Sequence, residues 1–396
     1  MSGTGVQPLP ASGLRAVTRR IDLGDDLLEA LGPDGFCWIE RGTGLATAGV
    51  AAVVTADDAV DTLAAIPHDA EVTGTGVGPL AVGALPFDPG VPGTLTIPAR
   101  VVGRADDGTA WVTQIGPALE ARTAPGPRPS RFTVRRRQTR AWWDEAVTAA
   151  LAEFADGRLD KVVLAREVEV VADVAFDPRL VLRRLREQQP GCILYADAGF
   201  VGATPELLLR RTGAAFESRP MAGTAPGSVP AEVAIALAAS GKDAREHRYV
   251  VDAVRDALAP VATHIAVPAT PVVEHFGSLA HLVTPIRGEL AEPLDALALT
   301  RLLHPTPAVG GTPRDEALAL IARLEPFDRG PYAGPVGWVD ARGDGAFAVA
   351  LRGAELRGDT AVLRAGAGIV AGSDPDAEWA ETAAKLEPML RALVVP

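Results

Sequence analysis

Near its C-terminal end the chain runs three apolar stretches, Val336–Asp340, Phe347–Leu356 and Thr360–Arg364, into one another across short turns at Gly343–Gly345 and Arg357–Asp359. Strands joined this closely must pair antiparallel, because a parallel neighbour needs a crossover of about a dozen residues or more. A pure βαβ wind is therefore excluded. Upstream, Lys161–Val171 is a β-branched run suited to a buried strand, and more strands are expected from Cys192 to Arg211. Helical spacing appears at Trp142, Val147, Ala150, Leu151 and Phe154, with Gly157 as a stop. Further helices are expected at Pro178–Glu187, Lys242–Leu258, Asp315–Leu324 and Pro375–Leu393. The class is α/β in the α+β sense, with large, mainly antiparallel sheets.

Residues 1 to about 116 read as short strands and turns, for example Phe36–Glu40 and Val101–Arg104. Residues 121–130, with Pro125, Pro127 and Pro129, read as an extended connector, and no internal repeat is visible. The domain reading is 1–120 as an N-terminal part of the same fold, 121–130 as connector and 131–396 as the catalytic core. The 396 residues carry 38 Lys or Arg against 50 Asp or Glu, a net charge of −12, with no basic block beyond Arg135–Arg137. Such a chain lacks the electrostatic footprint of a nucleic-acid binder. With 47% hydrophobic and 22% charged residues it is composed like a globular protein. The most apolar stretch, Ala262–Val273, is cut by Pro268 and Pro271, so no membrane span is expected, and the first thirty residues lack an apolar signal core. The expectation is a soluble, cytoplasmic protein, with Cys37 and Cys192 as isolated buried thiols.

Lysine supplies the first chemical clue. Only Lys161, Lys242 and Lys385 occur, against 35 arginines. Where arginine serves nearly everywhere, a retained lysine can mark a place that needs a releasable proton. Lys161 opens the apolar strand and would, if buried, suit a general base; the competing reading is a strand-edge lysine in solvent. For Lys242 the solvent reading is preferred.

Carboxylates supply the second. Asp243 and Glu246 lie three apart at the edge of a helix face carrying Val250, Val254 and Ala257, and Glu378, Glu381 and Lys385 form a stripe on the last helix, which Asp374 caps ahead of Pro375. Two helices presenting such acids can hold a hard dication through oxygen, most naturally Mg²⁺; the alternative is a solvated face with an ordinary Glu381–Lys385 pair. Glu206, between two apolar runs, is a candidate proton donor, and Arg352, inside an apolar run, is expected to meet an anion or a structural partner. The string G-x-G-x-x-A occurs at 76–81 and 366–371, but no helix opens within either, so a dinucleotide site cannot be completed. Gly366 and Gly368 more naturally offer backbone N–H groups to a small anion. His247, His281 and His304 lack metal-ligand spacing.

Together these pieces resemble the chorismate-utilising enzymes, and most closely the isochorismate synthases. The matching strings are KVVLAR (161–166), GATPELL (202–208), RPMAGT (219–224), KDAREH (242–247), His281-Leu282, LHPTPAVGG (303–311), YAGPVGW (332–338), AGAGIVAGSDPDAEWAET (365–382) and Lys385; before residue 120 the likeness is loose, chiefly GALPFDP (83–89). The resemblance implies one large fold with two big sheets packed together and helices outside. It also implies that Lys161 activates water for attack on C2 of chorismate and that Glu206 protonates the departing C4 hydroxyl. Glu246 and Glu381 match Mg²⁺ ligands, with Asp243 and Glu378 nearby or acting through water. Tyr332, Arg352, Gly366 and Gly368 match the site for the enolpyruvyl carboxylate, while Gly223, Thr224, His281, Ala308 and Lys385 line the substrate.

Departures within the family select the reaction. Aminodeoxychorismate-forming relatives carry a nucleophilic lysine where this chain has Ala222, and anthranilate synthases lack the lysine matched by Lys161. Salicylate synthases tend to have Thr at the place of Ala308. The expected activity is Mg²⁺-dependent, reversible isomerisation of chorismate to isochorismate, with pyruvate elimination to salicylate as the alternative. Isochorismate feeds menaquinone, catechol siderophores and salicylate. No nucleic-acid or membrane partner is expected, and the chain is expected to work as a monomer or weak homo-oligomer.

Overall fold

The computed structural model describes residues 13–24, 26–116, 128–226, 240–277 and 279–394. Residues 121–127 of the connector and the side chains of Thr224 and Lys242 lie outside that description. Strand pairing is almost wholly antiparallel and forms two long ladders. One passes from Phe132–Arg136 through Lys161–Ala172, Thr360–Val370, Gly353–Arg357, Phe200–Thr204 and Ile193–Asp197 to Phe36–Glu40 and Thr43–Thr55. The other passes from Leu80–Ala84 through Pro335–Asp340, Gly345–Val349, Leu207–Thr212, Ala215–Ser218 and Ile286–Leu290. Thr43–Thr55 pairs in turn with Thr94–Arg104, whose Thr96 lies opposite Val82 and joins the two at a corner. A small third sheet holds Met221–Pro226, Leu279–Val283 and Val272–Phe276.

Period-two alternation assigns each strand face to a layer. Phe36 and Trp38 on one ladder meet Leu80, Val336 and Trp338 on the other, so the two large sheets bury one core between them. Their neighbours Cys37 and Ile39 point the opposite way and pack with Leu182, Leu185, Leu386 and Met389 from helices Pro178–Gln188 and Pro375–Val394. Both cysteines are buried free thiols. Residues before 120 are thus paired directly to later strands, as Trp38 with Tyr195 and Val82 with Trp338.

The helices have local causes. Thr139 caps Arg140–Ala155 through Trp142 N, Ser240 caps Gly241–Leu258 through Asp243 N, and Asp374 accepts from the amides of Asp376 and Ala377 at 2.9 Å. The stretch expected as one strand, Phe347–Leu356, is broken. It forms Gly345–Val349 and Gly353–Arg357, because Arg352 adopts φ +50, a left-handed conformation that interrupts the pleat. The last strand is longer than expected, running Thr360–Val370, so Gly366 and Gly368 belong to a strand and not to a loop. The string at Gly76 runs into strand Leu80–Ala84, and neither glycine string opens a helix.

Candidate active site

Lys161–Ala172 and Thr360–Val370 form the base of a cavity at the middle of the molecule. Along the first strand, Val162 and Leu164 pack on Trp143, Val147 and Ala150 of the helix behind, which turns Val163 to the cavity; Lys161, two residues away, is not itself among the lining side chains. Glu206, on the turn between Phe200–Thr204 and Leu207–Thr212, closes one wall together with Ala222, Gly223 and His281 from the small sheet. Glu246, Ala308, Tyr332, Arg352, Gly366 and Lys385 complete the lining.

Lys161 is fully buried, and its Nζ lies 2.9 Å from Glu246 Oε1 at an angle that makes an ion pair without an aligned hydrogen bond. Burial alone, the sequence argument, does not describe this side chain: the Glu246 carboxylate meets it, and Glu246 lines the cavity. Gly368 makes room for the pair. A Cβ there would lie 2.5 Å from Glu246 Oε1 and 3.1 Å from Lys161 Cε. A second pair, Lys385 Nζ to Glu381 Oε1 at 2.7 Å, lies on the last helix. Burial would lower the Lys385 ammonium, but Glu381, with Glu246 beyond it, holds it above its ordinary value.

The direction of the glycine amides follows from the ladder. Val163 N–H donates to the Gly310 carbonyl and Ala165 N–H to Glu325 Oε1, both at 2.8 Å and both away from the strand Thr360–Val370. In an antiparallel ladder, a residue turned away faces a partner turned away. Val163 faces Gly368 and Ala165 faces Gly366, so both glycines present their N–H and C=O groups to the far edge of their strand. There the Gly366 carbonyl accepts from Lys385 Nζ at 3.0 Å.

Arg352 is buried and has no carboxylate partner among the described residues. Its Nη1 donates to Gln189 Oε1 at 3.2 Å, and its Nη2 lies 2.6 Å from His281 Nε2. Burial, with Arg352 and Lys385 nearby, keeps the His281 imidazole well below its usual range. The neutral ring thus accepts from Arg352 through Nε2 and donates through Nδ1 to the Gly223 carbonyl at 3.2 Å. This is a cation held by neutral groups and open to an anion. Burial pushes the Glu206 carboxyl up to about 8 against the opposing pull of Lys161 and Lys385, so at neutral pH it is mostly a protonated acid. Burial also raises the Tyr332 phenol.

Of the acids read as metal ligands, Glu246 borders the cavity, Glu381 pairs with Lys385, Glu378 is buried and Asp243 lies beside Gly223. Among the described residues no three Asp, Glu, His or Cys side chains gather closely enough to enclose a metal by themselves. Thr224 pairs with His281 in the small sheet, and its side chain is outside the described ones. Sequence reasoning missed Gln189, which steadies Arg352, and the buried pair Glu325–Arg329. The latter carries a signal in the string LEPFDRG (324–330), an acid and a base four apart amid apolar residues.

The sequence and the fold match known proteins. Residues 105–394 fit the family model described as "Chorismate binding enzyme". Isochorismate synthase EntC of Escherichia coli K12 is 39% identical over 340 residues, covering 83% of this chain and 84% of that protein. Isochorismate synthase DhbC of Bacillus subtilis is 38% identical over 336 residues, covering 80% and 81%. The structure of MenF, described as the menaquinone-specific isochorismate synthase from Escherichia coli, superposes with a TM-score of 0.83 at 26% identity, over 98% of this chain and 97% of that one. The chain belongs to the chorismate-binding enzyme family.

The crowding at Gly368 yields a test. Gly368→Ala sets a methyl group against Glu246 Oε1 and Lys161 Cε, so the ends of the pair must shift. Turnover of chorismate should fall about 10- to 100-fold, the scale of an ångström-sized displacement in a catalytic group, with the far-UV spectrum unchanged. Wild-type turnover in this variant would show that the pair's geometry is unimportant.

Proposed function

We propose that this chain is an isochorismate synthase, an isomerase that takes chorismate to isochorismate by adding water at C2 and losing the C4 hydroxyl. The observation that carries the reading is the pairing of two groups at one site: Glu206 is held as a protonated acid, while Lys161 is buried against Glu246, which lines the same cavity. Lys161, in its neutral form, takes a proton from the attacking water. Glu206 gives its proton to the hydroxyl that leaves C4, and the ring double bonds shift between the two carbons. One water enters and one departs, so the net change is an isomerisation.

A dianionic substrate needs two positive clamps. Arg352, steadied by Gln189 and the neutral His281, fits the enolpyruvyl carboxylate, with Tyr332 and the outward amides of Gly366 and Gly368 as added donors. For the ring carboxylate the donor set fits Mg²⁺, because Glu246 and Glu381 offer only oxygen and both act on the same Lys385 ammonium. Two carboxylates with water and a substrate oxygen form an ordinary magnesium shell, which needs no third protein ligand. Glu246 and Glu381 would hold the ion, Asp243 and Glu378 through water, and the bound ion would neutralise the ring carboxylate. Gly223, Thr224, Ala308 and Lys385 complete the substrate's surroundings in this reading.

Ala222 and Ala308 support stopping at isochorismate. Each lines the cavity with a methyl group, so the wall has neither a nucleophile at the first position nor a hydroxyl at the second. No helix among the described residues is long and apolar enough to cross a membrane. The reading further takes the chain as a cytoplasmic protein that acts on a small molecule as a monomer or weak homo-oligomer.

Incubation with chorismate and Mg²⁺, followed by separation of products, should give isochorismate. Salicylate with pyruvate would overturn this reading, and anthranilate formed with ammonia would move the chain to another branch of the family. The pH profile has a required sign as well. Because Glu206 must be protonated and its carboxyl sits at about 8, kcat/KM should fall on the alkaline side with an apparent pKa near that value. Glu206→Gln should lose activity about 10²- to 10⁴-fold at every pH; an alkaline limb persisting in an active Gln variant would remove Glu206 from the acid role.

A further inference from the structure

Between residues 163 and 167, strand Lys161–Ala172 has no strand on its outer side among the described residues. Gly311–Thr312 pairs with it only at Lys161 and Val162, and Phe132–Arg136 only from Val168 onward. The backbone groups in the gap must still be satisfied. Val163 N–H and the Glu167 carbonyl find the backbone of Gly310 and Arg137, and side chains meet three others. Glu325 Oε1 accepts from Ala165 N–H at 2.8 Å, Arg329 Nη2 donates to the Val163 carbonyl at 2.7 Å, and Gln138 Oε1 accepts from Glu167 N–H at 2.7 Å. Glu325 and Arg329 are themselves a buried pair, with Nε to Oε2 at 2.8 Å and Nη2 to Oε1 at 2.5 Å. Arg329 Nη1 also donates to the Val309 carbonyl at 2.9 Å, and its guanidinium lies over the Phe87 ring at 4.3 Å.

We propose that the Glu325–Arg329 pair is a positioning element for the isomerisation: it replaces a missing strand and fixes the catalytic strand at Val163 and Ala165 against the cavity loop at Val309. The inference rests on the isochorismate synthase reading of the cavity. Neither side chain lines the cavity, although the Arg329 guanidinium lies over the Tyr332 ring at 6.0 Å, so the pair acts through what it holds. Its contacts fall on the backbone two and four residues from Lys161 and one residue from Ala308. Arginine is required because one fork reaches two carbonyls and a carboxylate together, which a lysine ammonium cannot span. Arg352 and His281 lie on other elements and keep their own partners, so the main clamp on the enolpyruvyl carboxylate does not run through the pair.

The test compares Arg329→Lys and Glu325→Gln with wild-type protein, in Mg²⁺ with chorismate, reading kcat, KM, product identity and thermal midpoint. Wild-type conversion to isochorismate checks the reading of the site, and the ratio of variant to wild type checks the positioning role. Expected for a folded variant is a kcat lower by about 10- to 100-fold with KM within about threefold, together with pyruvate release above the wild-type level as the Ala308–Val309 loop loosens. Wild-type kcat in either folded variant, or equal losses in kcat/KM through KM alone, would overturn the proposal. Failure of both variants to fold would assign the pair to stability alone and overturn it equally.

Discussion

The buried contact between Lys161 and Glu246 is the constraint on which the site depends. An ammonium with no solvent exposure is costly unless a carboxylate meets it, and removing one partner leaves the other uncompensated. Three elements must therefore meet within one ion-pair distance: the strand that starts at Lys161, the helix Gly241–Leu258 that carries Glu246, and the strand passing beneath at Gly368. Gly223, at φ +74 and beside Asp243, lets that helix approach the small sheet. Trp143 and its neighbours pack under the strand that starts at Lys161.

Charge in the cavity wall is arranged by local pairing and not by the protein's total of −12. Lys161 has Glu246, Lys385 has Glu381, Arg329 has Glu325, and Arg364 has Glu167 and Glu355. Arg352 is held by a neutral amide and a neutral imidazole, which leaves its charge for a ligand. Glu206 is kept uncharged by the same burial that would otherwise penalise a carboxylate. Acid, anion clamp and compensated lysine thus coexist within one wall because each has a different immediate environment.

Much of this was legible in the sequence, for reasons that can be named. Scarcity singled out Lys161 and Lys385, helical spacing singled out Glu246 and Glu381, and short turns required antiparallel sheets. Other features depend on tertiary neighbours and leave little local trace. Residues Phe347–Leu356 read as one apolar strand, and nothing local shows that Arg352 turns left-handed there. Gly366 and Gly368 read as a loop, whereas their value lies in lying within a ladder whose register turns their amides outward. Gln189 and Arg329 matter because of the backbone and side chains that meet them from far along the chain. The helix Ala296–Leu303 and the strands between Ala262 and Leu290 were likewise not anticipated individually.

The central claim is that Lys161 moves the proton of the attacking water and does not merely neutralise Glu246. Lys161→Ala measured in both turnover and chorismate binding tests it most directly. The account predicts that kcat falls by about 10²- to 10⁴-fold, the usual contribution of a positioned general base, while chorismate binding stays measurable through Arg352 and its supporting groups. An unchanged kcat in the folded variant would contradict it.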